Sequence, residues 1–211
     1  VIELTAIYDR LMDAYGPQGW WPLLDVDGTN PTKTGAMTGY HVGDHSFPRT
    51  EAQRFEICVG AILTQNTAWP NVERALHQLA ERQLLSPRGV LGVSHSELGE
   101  AIRPSGYFNA KARKLHEFAV FHVSLNGRCP GREELLSVWG VGPETADSIR
   151  LYAYGQPEFV VDAYTRRILA HLGLVADSDG YAMVKACCVQ GLPVDMILYQ
   201  EFHALLVEHA K

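Results

Sequence analysis

The stretch Leu135–Leu169, LLSVWGVGPETADSIRLYAYGQPEFVVDAYTRRIL, decides how the chain folds. It reads as a short helix ending at Ser137, a turn on Gly140-Val141-Gly142, and a second helix opened by Pro143, which makes a hairpin between helices. Glycine takes positive φ without a Cβ clash, and proline at the first helical position loses no hydrogen bond, so GVGP both turns the chain and starts the next helix. Both glycines are expected to serve the turn in this way. The N–H groups exposed there suit a phosphate. After the second helix stops near Gly155, the apolar run Phe159-Val160-Val161 delivers Asp162 to the start of another helix. An aspartate therefore follows closely on an anion-binding device.

Around this stretch the chain has 211 residues, of which 46% are hydrophobic, enough for one large core or two small lobes. No apolar run approaches bilayer length, and the sequence opens at Val1 with neither a basic leader nor a signal-peptide core, so the expectation is a soluble, intracellular protein whose start has been trimmed. Cys58, Cys129, Cys187 and Cys188 show no CxxC spacing and read as reduced thiols. His41 and His45 in HVGDH have no further ligands nearby and make a weak metal signal. The formal charge of −6 excludes a surface that clings to nucleic acid everywhere, so a DNA partner must meet a local patch.

From the start of the chain, Leu4, Ile7, Tyr8, Leu11, Met12 and Tyr15 mark one helical face that ends at Gly16-Pro17. Trp20, Trp21 and Pro22 then form a bulky cluster before an irregular stretch from Asp25 to Phe47. Thr50-Glu51-Ala52-Gln53 fits a capping box, and the nearly all-apolar helix behind it ends in the polar tip Thr64-Gln65-Asn66-Thr67. Ser86-Pro87 and Arg103-Pro104-Ser105-Gly106 mark turns around a short helix that Ser94 or Ser96 caps. Between Arg103 and Arg132 the basic residues are Arg103, Lys111, Arg113, Lys114, Arg128 and Arg132, and Glu117 is the only acid. This is the one basic segment, and either a phosphate-facing surface or a solvated helix face explains it. A helix is expected at 110–126, and others run from Asp162 to Leu172, near Asp179 to Gln190 and from about Asp195 to Lys211. With no Val-rich strand pairs and no hairpin dipeptides, the chain reads as an all-α protein of nine or ten helices.

Four anchors in this order, FEICVGAILTQNT at Phe55–Thr67, IRPSGYFNAKA at Ile102–Ala112, GVGPETA at Gly140–Ala146 and VVD at Val160–Asp162, resemble the helix-hairpin-helix DNA glycosylases of the endonuclease III superfamily. The resemblance covers roughly residues 47–211. It implies two helical lobes flanking a DNA-binding cleft, with a barrel of helices at 47–156 and a joint domain from 1–46 and 157–211. It implies that Gly140, Val141, Gly142 and Thr145 grip the backbone of damaged double-stranded DNA, with Gln65, Asn66 and Lys111 as further contacts. Gln65 would fill the stack vacated by a flipped nucleotide. The main-chain carbonyls of Leu136, Val138 and Val141 would hold Na+ or K+.

Two departures from the family pattern shape the expected chemistry. Bifunctional relatives carry a nucleophilic lysine two residues after the GVG turn, where this chain has Glu144, and a carboxylate forms no Schiff base. Glu144 reads more simply as an acid at a helix N-terminus. Asp162, besides being a natural helix N-cap, can then stabilise the charge that develops on the sugar and activate water, leaving an abasic site. Many relatives also carry an iron–sulfur cluster on four cysteines beyond the last helix. This sequence ends at Lys211 about where the first would follow, so a cluster is expected only if the natural chain continues.

Trp20, Trp21 and Pro22 resemble the N-terminal aromatic segment of the 3-methyladenine glycosylase branch. Together with Phe47 they are the candidate pocket for a cationic alkylated purine, with local core as the competing role for the tryptophans. The expectation is a monomeric, cytoplasmic, DNA-associated base-excision-repair enzyme without lyase activity. The competing expectations are an endonuclease III-like enzyme for oxidised or mismatched bases, and a non-catalytic DNA-binding module.

Overall fold

The structure, a computed structural model, describes residues 3–32 and 38–211; part of the expected irregular segment, 33–37, lies outside the described residues. The chain is all-α, as the sequence pattern predicts. Among the described residues there are eleven α-helices, and the only β pairing is an isolated bridge between Thr29 and Thr38. The count exceeds the expected nine or ten partly because Ser86-Pro87, read as a turn, opens a five-residue helix whose Gly89 N–H is capped by the Ser86 hydroxyl.

Helix α1 (Leu4–Tyr15) ends at Gly16 and packs on the last helix, α11 (Met196–Ala210). Helix α2 (Glu51–Leu63) is buried along almost its whole length, from Phe55 to Leu63, and forms the centre of the molecule. The Thr50 hydroxyl accepts from Gln53 N–H. The Gln53 side chain does not return to Thr50, as a full capping box requires; its Oε1 accepts from Arg49 N–H at 2.7 Å. On α2 pack α3 (Trp69–Glu81) and α6 (Phe108–Ser124), and α6 in turn carries α4 (Pro87–Leu91) and α5 (His95–Ala101). Ser94 caps α5 in a complete capping box with Glu97.

The hairpin is formed by α7 (Arg132–Ser137) and α8 (Pro143–Ser148). Beyond Ser148 the helix does not run on as an α-helix to Gly155; it widens into a π turn over Ile149–Ala153 that packs on both α2 and α11. Extended chain through Phe159, Val160 and Val161, all fully buried, leads to α9 (Ala163–His171), followed by α10 (Tyr181–Gly191) and α11. The apolar side chains of all these elements form one continuous core from Leu4 to Leu206.

Candidate active site

The hairpin turn uses its two glycines differently. Gly140 has φ of +87°, and a Cβ there would lie 2.4 Å from the Lys114 side chain, so both conformation and space demand glycine. Gly142, expected to share that role, is extended at φ −96° and ψ 179° as the N-cap of α8. A Cβ at Gly142 would meet nothing within 4 Å, so nothing inside the protein requires glycine there. What its missing side chain leaves open is the approach to the backbone N–H groups at the start of α8.

Gln65 and Lys114 tie the tip of α2 to this hairpin. The Gln65 amide donates to the Gly140 carbonyl at 3.1 Å and to the Thr145 hydroxyl at 2.9 Å, and Lys114 Nζ donates to Gln65 Oε1 at 2.5 Å. Asn66 follows with φ of +55° at the end of the tip. Thr145 is buried beneath the turn. Lys111 departs from expectation. Its side chain is 2% exposed, and Nζ donates to the carbonyls of Leu63 and Ser105 at 2.8 and 2.7 Å. Desolvation, with a contribution from Lys114, pulls its pKa down to about 8. Lys111 thus closes the C-terminal end of α2 from inside and does not face a phosphate.

Most of the basic segment is likewise committed to internal pairs. Arg103 bonds Glu100, Arg128 bonds Glu134, and Arg132 bonds Asp147. These partners lie outside the segment, which is why it looked unpaired in sequence. Arg113 stacks over the half-exposed Trp139 of the hairpin at 4.1 Å and, with Lys114, supplies positive charge beside the turn.

Asp162 caps α9, its Oδ1 accepting from Thr165 N–H at 2.7 Å, while Oδ2 faces His203 Nε2 at 3.6 Å. Burial pushes the carboxyl pKa up, but the His203 ring and the Thr165 N–H outweigh it and hold Asp162 below the usual carboxylate range. Glu144, on α8, remains open to solvent, yet the surrounding protein desolvates it; that burial and the charge of Asp162 raise its pKa, which His203 partly offsets. The two carboxyls are therefore driven apart in acidity, Asp162 downward and Glu144 upward, a pattern common where acid and base roles are divided.

The aromatic cluster also divides. Trp21 and Pro22 are buried, and the Trp21 ring packs at 5.3 Å on Trp69, at 5.2 Å on Tyr152 and against the backbone of Gly60, so it belongs to the core. Trp20 is only partly buried and meets edge-on, at 5.7 Å, the ring of His203 that faces Asp162. Phe47 stacks at 4.7 Å on His41 and lies under Arg49 at 4.1 Å. Both His41 nitrogens face carbonyls, of Asp44 at 2.8 Å and Trp21 at 3.0 Å, so His41 braces the loop and neither nitrogen is directed at a metal site.

Nor do the cysteines converge. Cys58 and Cys188 are buried, Cys129 is exposed, and no group of three or more metal-ligating side chains occurs among the described residues. An iron–sulfur cluster does not fit the thiolates of these residues.

Residues 59–193 match the family described as HhH-GPD superfamily base excision DNA repair protein. The chain belongs to the HhH-GPD superfamily. It is 40% identical to the "Putative DNA repair glycosylase" of Methanocaldococcus jannaschii over 97% of this chain and 86% of that protein. It is also 32% identical to endonuclease III of Thermotoga maritima, over 61% of this chain and 62% of that one.

Among solved structures, a 3-methyladenine DNA glycosylase of H. pylori (MagIII) bound to 1,N6-ethenoadenine superposes with a TM-score of 0.75 at 23% identity, covering 98% of this chain and 96% of that one. A trapped endonuclease III–DNA covalent intermediate gives 0.74 at 20% identity, covering 97% and 83%. Both likenesses establish the HhH-GPD fold. No helix of the described residues is long and apolar enough to cross a membrane.

Sequence reading of this HhH-GPD chain missed His203 and Tyr152. Both lie on helical stretches, EFHALLVEHA and IRLYAYG, whose patterns announce only core, and they sit 51 positions apart along the chain. The one available signal was a histidine on an otherwise apolar helix face.

Proposed function

We propose that this base excision repair protein is a monofunctional DNA glycosylase that hydrolyses the N-glycosidic bond of alkylated purines such as 3-methyladenine. The observation that carries the reading is Asp162, a carboxylate held ionised, facing a histidine that Trp20 packs on and acting on the charge of Glu144 on the hairpin, whose Gly142 leaves its surroundings open. As the bond between the sugar C1′ and the base breaks, positive charge grows on the deoxyribose and Asp162 stabilises it. A water then adds at C1′ and loses a proton toward the carboxylate, giving a free base and an abasic site.

Glu144 stands two residues after the GVG turn, where a lyase would need an amine, so strand cleavage through a Schiff base has no nucleophile there. Trp20 is the ring we assign to the flipped, cationic base. Phe47 is kept as a second stacking candidate, while Trp21 and Pro22 support the pocket from behind. Cleavage within a stacked duplex requires the nucleotide to be extruded, and we assign the filling of the gap to Gln65 and Asn66, at a tip that the Gln65 amide braces on the hairpin. The division into a 47–156 lobe and a 1–46 plus 157–211 lobe is also our reading. It is supported by α4, α5 and α6 packing around the α2 side while α1, α9 and α10 gather on α11 or on one another. A monovalent cation on the carbonyls of Leu136, Val138 and Val141 is compatible with the turn, in which the Val138 carbonyl already accepts from Val141 N–H.

The test is a panel of duplexes each carrying one lesion, with free base and strand breaks scored separately. Release of 3-methyladenine without breakage, lost in Asp162→Asn, is the expected result. Release of oxidised pyrimidines or mismatched bases instead, or a borohydride-trapped protein–DNA adduct, would assign the chain to the endonuclease III-like alternative. Salt-sensitive binding with no release at all would leave a DNA-binding module.

A further inference from the structure

His203 is a buried polar group that the proposed reaction does not yet use. Its side chain is 6% exposed, and Nε2 is fully buried and has no hydrogen-bond partner among the described residues; Asp162 Oδ2 lies just beyond reach at 3.6 Å. The other nitrogen, Nδ1, is 2.7 Å from the Tyr152 hydroxyl, and that hydroxyl is also 3.1 Å from the Gln200 carbonyl. Trp20 closes one side of the ring.

The placement of protons follows from counting. The Tyr152 hydroxyl has one hydrogen. Given to Nδ1, it leaves the ring proton on Nε2, facing the carboxylate as a donor. Given to Gln200, it requires a proton on Nδ1, and a bare Nε2 lone pair would then oppose a carboxylate unless Nε2 is protonated too. The Gln200 carbonyl belongs to α11, whose ladder supplies it with a donor, so it has the lesser need of the hydroxyl. Either way the favourable arrangement puts a proton on Nε2.

We propose that His203 is a positioning residue for Asp162: Tyr152 holds Nδ1, and the Nε2 proton fixes Oδ2 while Thr165 N–H fixes Oδ1. The carboxylate is thereby kept ionised and its plane is set before DNA arrives. Closure of a few tenths of an ångström on binding completes the hydrogen bond, as catalytic contacts commonly tighten in a complex. The charged and titratable groups that act on this pair come from each surrounding element: Glu144 on α8, Tyr152 on the π turn, and Lys211 at the end of α11, with Glu201 acting on Tyr152. The consequence for catalysis rests on the proposed glycosylase reading, but the positioning itself does not.

The test is therefore made first on the free protein. Carbon-13 NMR of the aspartate carboxyls is followed from pH 2 to 8 in the wild type, His203→Leu, His203→Gln and Tyr152→Phe. The midpoint of Asp162 is expected to rise by about one pH unit in His203→Leu, to return most of the way in His203→Gln, whose amide can donate, and to rise less in Tyr152→Phe. In parallel, the acid limb of single-turnover base release should move in the same direction while DNA affinity holds.

An unchanged Asp162 midpoint in His203→Leu overturns the proposal, and so does a lowered melting temperature with no movement of the midpoint, which is what a merely structural histidine gives. Should His203→Leu not fold, the Tyr152→Phe and His203→Gln midpoints decide in the same way. If no variant, the wild type included, releases a base, the glycosylase reading fails and the titration still answers for His203.

Discussion

Glu56 carries a buried carboxyl whose charge neighbour among the described residues is another acid, Asp25. It is 6% exposed, its Oε1 accepts from Leu24 N–H at 2.8 Å, and burial, opposed by that bond and reinforced by Asp25, pushes its pKa up to about 7. An acid whose folded pKa exceeds its unfolded value stabilises the fold below the unfolded pKa, and that contribution is lost as pH rises from about 4.5 to about 7. Glu56→Gln keeps the acceptor and removes the charge. It should raise stability by about 1–3 kcal/mol at pH 8 and by nothing at pH 4, read by thermal melts at both values. Asp162 has the opposite sign: its lowered pKa contributes stability above the unfolded value that is lost as pH falls through the folded one. Asp162→Asn should therefore cost stability at pH 7 through loss of the charge that His203 and the Thr165 N–H favour, a cost that fades as pH falls through the folded pKa, while an asparagine still caps α9; it should also abolish base release.

At the level of elements, the hairpin glycines separate folding from binding. Gly140→Ala places a Cβ at positive φ against the Lys114 stem and should lower the melting temperature, by about 1–3 kcal/mol in stability. Gly142→Ala meets no atom of the protein and has ordinary backbone angles, so it should melt within about 0.5 kcal/mol of the wild type. Its methyl group stands where a phosphate would approach, and DNA affinity should fall by about tenfold or more in a titration by fluorescence anisotropy. Lys111→Met gives the reverse pattern. It strands the Leu63 and Ser105 carbonyls at a cost of about 2–4 kcal/mol, while the dependence of DNA affinity on salt stays as it was, because the ammonium neutralises no phosphate. The helices, the hairpin and the Asp162 cap could be read from local patterns, since Pro143, Thr50 and Asp162 each act within four residues of themselves. The burial of Lys111 could not: its acceptor on α2 lies 48 positions away, and a lysine in a basic run looks the same whether it points in or out.

In the molecule as a whole, Asp147 on α8 joins the hairpin to the C-terminal helices. It is fully buried and accepts from Arg132 on α7 at 2.7 Å and from Tyr181 on α10 at 2.7 Å, with Lys185 at 2.9 Å. Removing it takes the buried acceptor from Arg132 and from the Tyr181 hydroxyl, while Lys185 keeps Glu158, and Asp147→Ala should cost about 2–4 kcal/mol in chemical denaturation, more than loss of an exposed pair such as Arg103–Glu100. Nothing local marked Asp147 for this role, because its three partners come from two other elements, α7 and α10, and only the finished fold assembles them. The same dependence on assembly applies to the π turn at Ile149–Ala153, which aims Tyr152 at His203 and Gln200. A wide turn of this kind amounts to an extra residue within a helix. A chain shortened by one residue there would regain ordinary helical register, and the side chains beyond the deletion would rotate by about 100° relative to those before it. Indels in this one stretch, unlike point substitutions, could thus disconnect the tyrosine from the histidine while leaving every hydrophobic residue of the neighbouring helices in place.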